Sequence, residues 1–116
     1  MFGRILGLFR GRSALVKGAG KLPEGQSRKI DIGDPLAGGT QIVLCRVEGT
    51  LFALDALCPH AGGRIADGPL FDGRHAVCPL HNYLFDPATG RAVRGACANA
   101  KTYRVREVGD DCEVWV

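Results

Sequence analysis

Turn-forming residues recur roughly every 8–12 positions from Lys29 to the C-terminus, a spacing that leaves room only for short strands. Between the turns the hydrophobic period is two. Ile30 and Ile32 alternate with Lys29 and Asp31, and residues 40–48 are strongly β-prone, with Val43, Cys45 and Val47 on one face. Glu48-Gly49-Thr50 reads as a hairpin turn into residues 51–57. Asp72-Gly73 reads as a two-residue turn between Leu70-Phe71 and residues 75–78, and Pro87-Ala88-Thr89-Gly90 as a further turn. Gly109-Asp110-Asp111 then joins residues 102–108 to residues 112–116 in a terminal hairpin. About nine short strands follow from this pattern, which predicts an all-β chain, an antiparallel sandwich or barrel.

At 116 residues the chain has room for one domain, and no apolar run approaches the ~18 residues needed to span a bilayer as a helix. The net charge of +3 is unevenly distributed. Residues 1–23 carry Arg4, Arg10, Arg12, Lys17 and Lys21 and no acid, so the remainder is slightly acidic. A globular part of that sign, without a basic stripe interleaved with aromatics, argues against nucleic acid as the main partner. Residues 1–23 are therefore read as a basic extension and residues 24–116 as the domain. Phe2, Ile5, Leu6 and Phe9 stand at helical spacing, so the extension is either a solvated tail or a short amphipathic helix making peripheral contact with a membrane surface or a partner. Arg10 interrupts the apolar stretch and no small-x-small cleavage site follows, so it does not read as a secretory signal.

Two cysteine–histidine clusters carry the chemistry: Cys58-Pro59-His60 and Cys78-Pro79-Leu80-His81, with 17 residues between His60 and Cys78. Both follow β-patterned runs, so two hairpin tips can converge on one centre. Two soft thiolates with two imidazoles suit zinc or an iron–sulfur cluster and suit calcium or magnesium badly. Neither C-x₂-C nor H-x₃₋₅-H is present, although a tetrahedral zinc site is not forbidden by the spacing. Metal ligation also fits an odd set of five cysteines better than a disulfide framework does, which favours a reducing, cytoplasmic location.

Cys58-Pro59-His60-Ala61-Gly62-Gly63 and Cys78-Pro79-Leu80-His81-Asn82-Tyr83-Leu84-Phe85-Asp86, followed by Thr89-Gly90, resemble the C-x-H … C-x-x-H pattern of Rieske [2Fe-2S] proteins. The resemblance implies a Rieske-type antiparallel sandwich or barrel with a cluster-binding subdomain of two hairpin loops. It also implies one [2Fe-2S] cluster per chain, with Cys58 and Cys78 on one iron and His60 and His81 on the other. Two ferric ions and two sulfides carry a double positive charge; two thiolates neutralise it, whereas four would leave a double negative charge. Adding an electron to the neutral centre is therefore easier, and imidazole can couple reduction to protonation. Gly62 and Gly63 are expected to let backbone N–H groups turn toward sulfide without a Cβ clash.

Rieske proteins of quinol-oxidising complexes resemble C-T-H-x-x-C … C-x-C-H-x-S-x-Y. This chain has Gly63 and Leu80 where the extra cysteines would fall, and Tyr83 and Phe85 where the hydroxyl donors would fall. The loop-pinning disulfide is thus absent, and fewer donors predict a potential in the lower part of the roughly −150 to +300 mV Rieske range. Cys45 and Cys112 read as core residues, His75 as an ordinary strand histidine and Trp115 as packing, while Cys97 in the Gly95–Ala98 stretch is left open. No nucleotide-binding glycine loop and no nucleophile with its own general base is present.

The resemblance implies an electron carrier and not an enzyme: a ferredoxin-type component that takes one electron from a reductase and delivers it to an oxygenase or a reductase large subunit. Two alternatives stand beside it. The motifs also resemble the small subunit of assimilatory nitrite reductase, and the donor set alone would serve a zinc-stabilised binding module.

Overall fold

A computed structural model of the chain describes residues 13–33, 38–59, 63–80, 82–94 and 98–116. Ten strands run in the order β1 (Ser13–Val16), β2 (Gln26–Ile32), β3 (Thr40–Val47), β4 (Thr50–Asp55), β5 (Gly68–Pro69), β6 (Ala76–Cys78), β7 (Tyr83–Phe85), β8 (Ala92–Arg94), β9 (Thr102–Val108) and β10 (Asp111–Trp115). Seven of them form one sheet in the order β1-β10-β9-β4-β3-β2-β5, and β6-β7-β8 form a second. Every pairing is antiparallel. The all-β expectation holds, as do the hairpins at Glu48-Gly49 and before Asp111, where Val47 pairs Thr50 and Val108 pairs Asp111. Glu48 and Gly49 both have positive φ (51° and 80°), the primed geometry whose twist matches the flanking strands.

The β3–β4 hairpin is a wall buried on both faces. Ile42, Leu44, Leu51 and Ala53 face one core with Ala14, Val16, Leu22, Ile32, Cys112 and Val114. That core joins β1 and β10 at one end of the sheet to β2 and β3 near the other, so the large sheet curls until distant strands share an interior. Val43, Cys45, Leu54 and Ala56 face a second core with Ile65, Leu70, Ala76, Phe85, Cys58 and Cys78. A strand covered on both faces needs a continuous apolar run, which Ile42-Val43-Leu44-Cys45 supplies.

The charge pattern places residues 13–23 in an extension, whereas the structure places them in the folded body. Ser13–Val16 pairs with β10, from Ser13 opposite Trp115 to Val16 opposite Cys112. Arg46, buried on β3, then holds the following turn. Its guanidinium donates to the carbonyls of Gly20 (2.7 Å), Leu22 (3.0 Å) and Gly49 (3.1 Å) and to the Glu107 carboxylate (2.9 Å). A buried guanidinium with carbonyl and carboxylate partners carries no desolvated, unpaired donor on those arms. The basic residues at 17 and 21 are thus the exposed positions of an ordered segment, and the domain starts by Ser13. The helical pattern Phe2/Ile5/Leu6/Phe9 lies outside the described residues.

Candidate metal centre

Cys58 and Cys78 of the second core each lie on a hairpin. The first leaves β4 at Asp55 and closes through Ile65 N–H to the Ala56 carbonyl (2.8 Å), a bridge between Leu57 and Arg64, and Cys58 N–H to the Gly63 carbonyl (2.8 Å). The second is β6–β7, in which Ala76, Val77 and Cys78 pair with Phe85, Leu84 and Tyr83. Asn82, with φ 55°, sits in its turn, a left-handed conformation that asparagine tolerates. Ala66 N–H donates to the Val77 carbonyl (2.8 Å), tying the exit of the first hairpin to the strand that carries Cys78.

The two cysteines are both buried, Cys58 at 2% and Cys78 at 0% exposure, in one apolar cluster. Gly63 joins them: its carbonyl accepts from Cys58 N–H, and a Cβ on it would stand 2.8 Å from Cys78 Sγ. Its φ is not in the left-handed region, so glycine is needed here for the space in front of sulfur and not for unusual backbone torsion. The same Cβ would lie 3.4 Å from Leu80 Cβ, so the two positions where the other Rieske branch would have its disulfide stand side by side. Gly62, His60 and His81 lie outside the described residues.

Among the described residues no group of three or more His, Cys, Asp or Glu side chains comes together as a metal site. Cys58 and Cys78 are the two motif cysteines among the described residues, and the two motif histidines of the sequence fall at positions 60 and 81. The buried thiol pair and the cradle at Gly63, open in front of one sulfur, fit an inorganic group with soft-donor preference.

The remaining candidates are placed as follows. Cys45 and Cys112 are buried in the two different cores. Burial pushes both thiols up from 9.0 to about 12, with Glu107 and Asp111 adding to the rise at Cys112 and Arg46 opposing it. At neutral pH they are protonated packing residues. His75 closes the Asp72–Arg74 turn through reciprocal backbone bonds with Phe71 (2.8 and 3.0 Å), so the turn has three residues where two were expected. Its Nδ1 is buried with no hydrogen-bond partner among the described residues. Trp115 packs under the Arg104 guanidinium, 4.6 Å from the ring centroid. Cys97 lies outside the described residues.

Residues 13–106 match the Rieske [2Fe-2S] domain. The chain belongs to that family. Its Rieske domain is 41% identical over 93 residues to the ferredoxin component of the naphthalene 1,2-dioxygenase system of Pseudomonas aeruginosa, covering 77% of this chain and 81% of the relative. The fold is shared with a chain of the complex of reduced oxygenase and oxidised ferredoxin in carbazole 1,9a-dioxygenase (TM-score 0.77, 20% identity, 91% of this chain and 94% of that one). It is also shared with a chain described as an NADH-dependent nitrite reductase small subunit from Mycobacterium tuberculosis (TM-score 0.64, 19% identity, 88% and 92%). The Rieske domain holds one [2Fe-2S] cluster and acts as an electron carrier.

Proposed function

We propose that Cys58 and Cys78 bind one iron, that His60 and His81 bind the other, and that the chain shuttles single electrons from a reductase to a terminal oxygenase. The observation that carries the oxygenase reading is the 41% identity, across four fifths of the relative, to a dioxygenase ferredoxin component. The likeness to a nitrite reductase small subunit is one of fold alone. The bound cluster supplies one-electron redox chemistry at a potential that imidazole ligation raises. The chain's own residues do the rest. The second core surrounds Cys58 and Cys78 with apolar side chains and keeps water from the thiolate side. Leu57 (49% exposed) and Leu80 (51%) stand on the two hairpins as an apolar rim on which a redox partner can dock close to the histidine side. Among the described residues no helix is long and apolar enough to cross a membrane. The proposed use of Cys58 and Cys78 as metal ligands, and not as a disulfide, is what favours a reducing, cytoplasmic compartment.

The test is reconstitution of the full chain with an NADH-driven flavin reductase and an aromatic-ring dioxygenase. The expected result is reduction of this chain by the reductase and product formation that depends on it. Obligate copurification with a large sirohaem or flavin subunit, with no turnover in the oxygenase assay, would contradict it and favour a nitrite reductase subunit. A redox titration belongs to the same test: a potential above about +150 mV contradicts the reading of few hydroxyl donors.

A further inference from the structure

The first cluster hairpin is held at its base by one carboxylate that bridges the hairpin's own Leu57 amide to Tyr103 on a different strand. Asp55 ends β4, and its backbone N–H donates to the Lys101 carbonyl (2.8 Å). Its Oδ1 accepts from Leu57 N–H (2.8 Å), and its Oδ2 accepts from the Tyr103 hydroxyl (2.7 Å). Tyr103 is placed independently of the hairpin, since it lies on β9 in register with Ala53 of β4. Lys101 reinforces it, with Nζ 5.1 Å from the ring centroid. Both carboxylate oxygens are thus engaged, and charge-assisted bonds of this length are the stronger class.

What the carboxylate holds matters for the site. Leu57 is exposed, so without Asp55 its amide would turn to water. The next residue is Cys58, whose N–H closes on the Gly63 carbonyl, and Gly63 in turn lies against Cys78 Sγ. A continuous line of contacts therefore runs from the base sheet through Tyr103, Asp55, Leu57, Cys58 and Gly63 to Cys78. We infer that Asp55 and Tyr103 are positioning residues that set the Cys58 hairpin against the Cys78 hairpin and so fix the geometry of the thiolate half of the centre. The inference rests on the proposal that Cys58 and Cys78 are ligands.

The experiment uses the full-length holoprotein and three variants, Tyr103→Phe, Asp55→Ala and Asp55→Asn. Two readouts are taken: hydrogen exchange of the peptide spanning residues 56–65, and the EPR g-values together with the reduction potential. Loss of a charge-assisted bond predicts roughly tenfold faster exchange in that peptide for Tyr103→Phe and Asp55→Ala, with altered g-values. Asp55→Asn keeps an acceptor for Leu57 N–H, so it restores protection to within about twofold while the lost negative charge moves the potential upward. If Asp55→Ala does not fold, the other two variants still decide. Unchanged exchange and unchanged g-values in Tyr103→Phe, with only a lower Tm, would overturn the inference. Retention of the cluster in Cys58→Ser would instead sink the ligand assignment, and the exchange result would still report whether the carboxylate holds the hairpin.

Discussion

The two faces of the β3–β4 hairpin carry cores of similar composition, yet the structures built on them differ in kind. On one face lies the curled sheet, in which β2, β3 and β9 run seven or eight residues and neighbouring strands share long registers. On the other lie β6, β7 and β8, three residues each, with the two hairpins that carry Cys58 and Cys78. Strand pairing on the first face is enough to define a fold. A three-stranded sheet of that length is marginal, and under the proposed ligand assignment ligand bonds would tie its hairpins together. On that assignment the cluster plays a structural part on one face only, and the two faces should respond differently to the same kind of perturbation.

The largest effect should come from Cys58→Ser or Cys78→Ser, each of which removes a proposed ligand from that face. Both should yield protein without iron or acid-labile sulfide, with hydrogen-exchange protection lost across residues 63–85 and retained in β2, β3 and β4. An intact cluster in both variants would end the assignment. Next, Phe85→Ala empties the largest fully buried side chain of the second core and should cost about 3–5 kcal/mol, with cluster loss preceding global unfolding in a urea titration. Ile42→Ala, on the opposite face, should cost about 2–5 kcal/mol with cluster loss and unfolding coincident. Gly63→Ala is smaller, about 1–3 kcal/mol, because its Cβ would meet Cys78 Sγ at 2.8 Å and the hairpins must part slightly; faster bleaching of the visible absorbance under chelator reads it.

The smallest effect concerns the packing thiols. Cys45 and Cys112 have folded values near 12 against 9.0 unperturbed, so in the native state their thiolate fraction keeps rising with pH through 9 and levels only near 12. Stability from the neutral thiols is full below 9 and is lost toward 12. Mass mapping after alkylation should find both unmodified in folded holoprotein at pH 8, with rates climbing about tenfold per pH unit beyond that. Full modification at pH 8 would show that these cores open together with the cluster hairpins.

The hairpins are readable because their turns are marked by local residue types: Glu48-Gly49 and Gly109-Asp110 sit between β-prone runs, even though Glu24 also accepts from both amides of the first turn. The two Cys-Pro-(Leu)-His clusters were readable because a ligand set is defined by residue type and spacing. What escaped was set by distant contacts. Ser13–Val16 has no turn or alternation to mark it and becomes a strand because β10 offers an edge. Arg46 looks like a solvated strand position, yet it is buried by carbonyls from residues 20, 22 and 49. The role of Asp55 depends on Tyr103, 48 positions away. Gly63 is expected to spare a Cβ clash beside sulfide; what it clears in the structure is Cys78 Sγ, which only the position of Cys78 could reveal.

Pulsed EPR of the reduced holoprotein, with and without ¹⁵N-histidine labelling, tests the mixed donor set most directly. The account predicts hyperfine couplings from two histidine nitrogens that change on labelling, one disappearing in His60→Cys and the other in His81→Cys, each with a lower reduction potential. A reduced centre with no histidine coupling, or couplings that survive both substitutions, would contradict it.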